Sequence, residues 1–209
     1  LWAPVGDPFI LHSHVKTYAC IGTAQAEVTA ALAAYPRVKG RTGEIEAIEV
    51  EMADLPIIRK QQAEAPRLTP STRETADHSF TFLPAVVLMD GELTPRQFDN
   101  ARWAEPATKA LTAKVRLSVS EELRARAPEA MPCRLTIRLK GGETVVTECL
   151  YPPGHSFPGR GLPRDPVVDK FIGFTAGCLP PERQAGIVEA VLGLRGRADI
   201  APVMAMLTT

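Results

Sequence analysis

The spacing of apolar side chains along this chain changes period several times, and each change marks an element. Ile48, Val50 and Met52 alternate with Glu49 and Glu51, the period of two that a half-buried strand shows, so Ile45 to Met52 reads as a first strand. Val115, Leu117 and Val119 alternate with Lys114, Arg116 and Ser118 in a second strand. Cys133, Leu135, Ile137 and Leu139 alternate with Arg134, Thr136, Arg138 and Lys140 in a third. Gly141-Gly142 is a two-residue turn that accepts positive φ at both positions, and it returns the chain as a fourth strand from Glu143 to Leu150.

Helical spacing fills much of the rest. Thr23 stands where it can cap a helix to about Ala34, with Val28, Ala31 and Leu32 on one face and Tyr35-Pro36 closing it. Its run of alanines predicts close packing on another helix, inside or outside this stretch of chain. Arg59 to Ser79 is polar, contains Pro66 and Pro70 and sustains no period, which predicts an extended connection. His78 to Met89 is apolar almost all round and reads as a buried helix despite Pro84, stopped by Asp90-Gly91. Thr94-Pro95-Arg96-Gln97 is a well-formed helix start, with a cap, a first-turn proline and a glutamine three residues after the threonine.

Tyr151 to Pro166 is too rich in proline and glycine for regular structure. Asp165-Pro166 opens a helix to about Cys178, with Val168, Phe171 and Ile172 as its buried stripe. Two short helices follow, one carrying Ile187, Val191 and Leu194, the other Ile200, Val203, Met204 and Leu207. The sum is an α+β fold: a small, mostly antiparallel sheet with helices, flanked by N- and C-terminal helices.

Composition narrows the function. The 24 basic and 24 acidic residues cancel, which argues against a nucleic-acid or membrane-surface binder, since either needs excess Lys and Arg to meet phosphate. No apolar run approaches the roughly 20 residues of a membrane span, and the expected compartment is the cytoplasm. Cys20, Cys133, Cys149 and Cys178 are far apart, with no Cys-x-x-Cys pair, which predicts reduced, buried thiols. The chain opens Leu1-Trp2-Ala3-Pro4 without an initiator methionine, and the expectation is that it is the second part of a longer protein. No phosphate-binding glycine loop occurs.

The densest chemistry is His12-Ser13-His14-Val15-Lys16-Thr17-Tyr18-Ala19-Cys20. Taken alone, Lys16 is a solvated side chain ahead of a helix. His12 and His14 could share a face as metal ligands, but no third ligand is evident and no metal is expected. His78 is either a cleft acid or base, or a helix-start residue bonded to backbone. Cys20 reads as packed rather than nucleophilic, and His155 as a surface residue.

The order of segments adds a resemblance. Lys16 followed by Tyr18-Ala19-Cys20 and an Ala-rich helix, then a strand, then Ala76-Asp77-His78-Ser79-Phe80-Thr81-Phe82-Leu83-Pro84-Ala85 running to Leu88-Met89-Asp90-Gly91-Glu92-Leu93-Thr94, resembles the MmgE/PrpD family. The Tyr151-Pro152-Pro153-Gly154-His155 loop leading to Asp169-Lys170-Phe171 is similar to the same pattern. The family includes 2-methylcitrate dehydratases, cis-aconitate decarboxylases and iminodisuccinate epimerases. The resemblance implies the end of a helical domain at 1–40, an α/β lid at 41–165 and a return to the helical domain at 166–209. It further implies a homodimer and a missing N-terminal helical domain as partners, no cofactor, and a small di- or tricarboxylic acid as substrate.

By the same comparison Lys16 and His78 are catalytic, and Thr17, Tyr18, Ser79 and Phe82 bind substrate. Two positions depart from the family pattern: Phe82 stands where a tyrosine is common, and Ala24 where a histidine often follows the threonine. The family's reactions develop negative charge on a carbon that bears a carboxylate. A lysine in a partly desolvated cleft can bind that carboxylate and stabilise the charge, with proton transfer as a second role. The alternative expectation is a catalytically silent split subunit that serves for assembly.

Overall fold

The computed structural model describes residues 13–156 and 164–207. They fall into two compact units, one ahead of Arg164 and one from Arg164 on. The first holds a four-stranded sheet of β1 (Ile45–Ala53), β2 (Val115–Ser120), β3 (Cys133–Leu139) and β4 (Thr144–Cys149), in the order β2-β1-β3-β4. The β1–β3 and β3–β4 ladders are antiparallel and the β1–β2 ladder is parallel. The parallel pair follows from its connection, because the chain between β1 and β2 is long enough to cross back over the sheet.

Alternation makes this a two-layer structure. Ile48, Val50 and Met52 lie on the inner face beside Leu135 and Ile137, all buried. A register shift between Ile45 and Ala47 lets Ile45 face inward too, although it stands three residues from Ile48. The outer face carries charge: Arg134 pairs with Glu51 at 2.9 Å, Glu122 at 3.0 Å and Glu148 at 2.9 Å, and Arg138 with Glu49 at 2.8 Å. The predicted hairpin forms with Gly141 and Gly142 at φ 88° and 90°.

Helix α1 (Gln25–Val38) covers the inner face of β3 and β4 and packs against α5 (Phe82–Asp90). The partner helix that the alanines demand is therefore within this chain. Ala24, Val28, Ala31, Ala34 and Val38 are fully buried, while Leu32 is only half-buried. The helix outlasts the predicted stop by a turn, because Pro36 sits on its exposed side, where a carbonyl left without its amide partner meets water. Thr23 does not cap it; its hydroxyl donates to Gln61 Oε1 at 2.8 Å instead.

The stretch expected to be extended holds three short helices: α2 (Pro56–Ala63), α3 (Ala65–Leu68) and α4 (Arg73–Ala76). Pro56 and Pro66 stand in first turns, where a missing N–H costs nothing, and Thr72 with Thr75 forms a capping box. Pro84 is tolerated in α5 for the same reason. Then come α6 (Pro95–Asp99), with the predicted Thr94–Gln97 capping box, α7 (Pro106–Thr112), and α8 (Glu121–Arg124). Cys20, Cys133 and Cys149 are buried, whereas Cys178 is exposed, against expectation.

The second unit consists of α9 (Arg164–Thr175), α10 (Pro181–Leu192) and α11 (Ala201–Leu207). Gln184 Nε2 donates to Ile172 O and Thr175 Oγ1, and Arg183 to Met206 O. Three short helices make a small core of Ile187, Ala190 and Val203. The predicted stripe of α9 is consequently not buried, and Ile172, Val191, Ile200, Met204 and Leu207 are exposed.

One buried charge stands out. Glu27, on the sheet side of α1, is fully buried, and neither carboxylate oxygen has a hydrogen-bond partner. Burial pushes its carboxyl well above the ordinary value of 4.5, so the folded state holds a proton that the unfolded chain releases. Above pH 4.5 the native state binds more protons than the unfolded one, so stability falls as pH rises toward the raised value. Glu27→Leu is expected to stabilise the protein at neutral pH by about 1–3 kcal/mol and to flatten its stability between mildly acidic and neutral pH. Urea unfolding across a pH series checks this; parallel profiles for the two proteins would refute it.

Candidate functional site

Residues 13–17 run along the end of the sheet where β4 finishes and β3 begins. There His14, Val15 and Lys16 form one wall of a cleft of about 460 Å³ with Gly22, Thr23, Gln25, Pro128, Met131, Pro152, Gly154 and His155. Lys16 is exposed on that wall, its stem passing Gly22 so closely that a methyl group there would touch Cδ at 4.0 Å. Among the described lining residues there is no Asp or Glu. Charge in the cleft comes from Lys16, with His14 and His155 beside it.

A buried amide holds the lysine's backbone in place. Gln25 Oε1 accepts from the N–H of Thr17 at 2.9 Å and of Tyr18 at 3.0 Å, and Nε2 donates to Tyr18 O at 3.2 Å and contacts Cys20 Sγ at 3.1 Å. One side chain at the first turn of α1 thus satisfies a loop that would otherwise bury unpaired backbone groups. Val15 N donates to Gly154 O at 2.9 Å, and Ile21 N to Asp77 O at 2.9 Å. Gly154 has φ 99°, and a Cβ on it would collide with Val15 O, so only glycine permits this crossing.

His155 is not on the surface. It is 8% exposed, neither ring nitrogen has a partner, and it stacks on His14 with centroids 4.0 Å apart. Tyr151 meets the same ring edge-on at 5.3 Å. Burial, and then neighbouring His14, pull the His155 pKa below the usual histidine value. His14 is exposed, and its Nδ1 accepts from Ser156 N at 3.2 Å. His12 lies outside the described residues, and among those described no group of three or more His, Cys, Asp or Glu converges as metal ligands.

The other sequence candidates separate. Tyr18 is half-buried against the core, its hydroxyl 3.4 Å from Thr29 Oγ1, and burial raises its pKa. The Thr17 hydroxyl is buried without a partner. His78 is half-exposed, with Nδ1 on Asp77 Oδ1, and lines a different, shallow pocket with Glu64, Arg67 and Glu74. Ser79 is buried, its hydroxyl bonded to Arg67 O and accepting from Phe82 N at 3.1 Å. Phe82 is fully buried, edge-on to Phe98 and Trp103. Lys16 is therefore brought together with His14, His155 and Gln25, and not with Ser79 or Phe82. The exposed lysine also departs from the desolvated one expected, because these lining residues leave the cleft open on the Lys16 side.

Sequence reading passed over Gln25 and placed His155 outside. A glutamine in an Ala-rich helix carries no visible signal, since its partners are backbone groups of the preceding loop.

A two-layer α+β unit with a cationic cleft at one sheet end is thus the setting in which the comparisons with known proteins apply. A family model described as the MmgE/PrpD C-terminal domain matches residues 18–194, and the chain belongs to the MmgE/PrpD family. The match begins two residues past Lys16. A protein named 2-methylcitrate dehydratase from Cupriavidus necator is 30% identical over 134 residues, which cover 61% of this chain and 27% of that relative. The chain thus aligns with about a quarter of the relative's length.

Replacing Gln25 by Leu leaves the Thr17 and Tyr18 amides without their acceptor, at an expected cost of about 1–3 kcal/mol. Hydrogen exchange should show those two amides opening first. Unchanged protection there would mean that the clamp does not hold the loop.

Proposed function

We propose that this chain supplies the lysine-bearing wall of the active site of a cofactor-independent lyase, a dehydratase or decarboxylase, or of an isomerase, acting on a small di- or tricarboxylic acid. The observation that carries the reading is Lys16 beside two histidines in a cleft whose described lining has no carboxylate. Among the described lining residues such a cleft attracts an anion and sets no like charge against it. Membership of the family, and the dehydratase name of a relative, support the same class.

Loss of a proton or carboxyl group next to a carboxylate leaves electron density on that carboxylate. The Lys16 ammonium binds the ground-state anion and interacts more strongly with the enolate-like transition state. Proton transfer is assigned to Lys16 second, and to His78, whose ring Asp77 orients through Nδ1. His78 is tied to the lysine segment through the Ile21–Asp77 backbone bond, not through the cleft itself. Thr17 and Tyr18 are assigned to substrate binding, and the buried Ser79 and Phe82 to the placement of α5 rather than to direct contact. The lid role of the sheet unit, pairing with an N-terminal helical domain, a homodimer and a reducing cytoplasmic setting complete it. Among the described residues no helix is long and apolar enough to cross a membrane.

A second reading, a catalytically silent assembly module, draws on the exposed apolar side chains of the α9–α11 unit. Assaying the intact protein with 2-methylcitrate, cis-aconitate and iminodisuccinate separates the two. Turnover of one of them is expected, with Lys16→Ala lowering kcat by about a hundredfold or more at an unchanged unfolding midpoint. Full activity in that variant removes Lys16 from the chemistry. No turnover, together with stable association with another polypeptide, favours the assembly module.

A further inference from the structure

Neither ring nitrogen of His155 meets a polar partner among the described residues. Buried polar groups are satisfied in the large majority of cases, yet both nitrogens of this 8%-exposed ring lack a partner. The ring is also unable to turn away: His14 stacks on one face at 4.0 Å, Tyr151 abuts it at 5.3 Å, and the His155 N–H is bonded to Pro152 O at 3.0 Å. His14 meets the ring face to face, at an interplanar angle of 29°, so it offers its flat side rather than a nitrogen to the His155 edge. A fixed, unsatisfied imidazole lining a cleft costs stability in the empty protein, and a ligand atom that pairs with it recovers that cost.

We propose that His155 is a ligand-binding residue of this cleft, donating a ring N–H to one carboxylate of a substrate whose other carboxylate faces Lys16. This rests on reading the cleft as a site for a di- or tricarboxylic acid and adds which side chains meet two of its carboxylates, at opposite ends of a short carbon skeleton. Val15, Pro128, Met131 and Pro152 offer that skeleton an apolar bed between the two polar ends. A volume of about 460 Å³ suits a small acid. The Thr17 hydroxyl, buried without a partner and 3.4 Å from where a Gly154 Cβ would sit, is a second donor beside the histidine. The titratable groups around His155 are His14 and Tyr151 against its ring and Lys16 on the cleft wall. None of these described groups is a carboxylate, and a carboxylate ligand supplies the acceptor for the ring N–H.

The test uses tricarballylate, which has no hydroxyl group or double bond to react, and butyrate, which has a single carboxylate. Calorimetric titration of the intact wild-type protein should give tighter binding of tricarballylate than of butyrate. His155→Phe keeps a stacked ring and removes both nitrogens. It should weaken tricarballylate about tenfold to a hundredfold, leave butyrate unchanged, and leave the ligand-free protein as stable as wild type or more so. His155→Gln, which keeps a donor, should recover part of the loss. Unchanged tricarballylate affinity in His155→Phe, with binding lost in Lys16→Ala, overturns this inference and leaves the carboxylate cleft standing. Failure of the wild-type protein to bind tricarballylate at all overturns the carboxylate cleft first. Should His155→Phe not fold, the ring nitrogen resonances of His155 in the wild-type protein decide. They should shift on adding tricarballylate but not butyrate, and their constancy refutes the contact.

Discussion

Helix α1 can lie close on the sheet because its inward residues are mostly alanine and valine, and every other feature of the first unit depends on that seam. Small side chains bring the helix backbone near enough to β4 for Thr147 to donate to Ala30 O at 2.8 Å. The preceding loop folds back over the helix start, where Gln25 accepts from the Thr17 and Tyr18 amides. Gln25 is the residue that makes this fold-back satisfiable, since one amide offers both an acceptor and donors to a loop whose backbone would otherwise be stranded.

The cleft is a by-product of that geometry. Once residues 15–18 are clamped to α1, Val15 has to cross the loop that follows β4, and only a glycine at 154 lets the two backbones pass. The crossing sets His155 under the N-terminal segment and stacks it on His14. Lys16, one residue further on, is then presented on the wall rather than in the core. The order of causes runs from packing to backbone satisfaction to the placing of charge.

Glu27 and His155 are among the buried groups of this unit that lack partners within the described residues, and their surroundings differ. Glu27 faces the sheet, where the answer to burial is to keep its proton. His155 lines a cleft that solutes can enter, where the answer is a ligand. The distinction comes from access and not from residue type, which is why a buried titratable group is informative only once its neighbours are known.

Strand positions, the hairpin, the buried α5 and the Thr94 cap were legible in the sequence, because each is set by local period or by capping within a few residues. The family was legible too, through the order of its segments. The short helices between β1 and β2 were not, since prolines in first turns look like breaks until the turn they begin is seen. Parallel pairing of β1 with β2, the partner of the alanine face and the exposure of Ile172 in α9 were decided by tertiary packing, for alternation says which face is buried but not against what. The same holds for the site. Composition marked the Lys16 patch as dense in chemistry, but Gln25, Gly154 and His155 are 9, 138 and 139 positions away from Lys16. Only the folded chain could show that contacts across such separations form the cleft, because no periodicity in sequence encodes them.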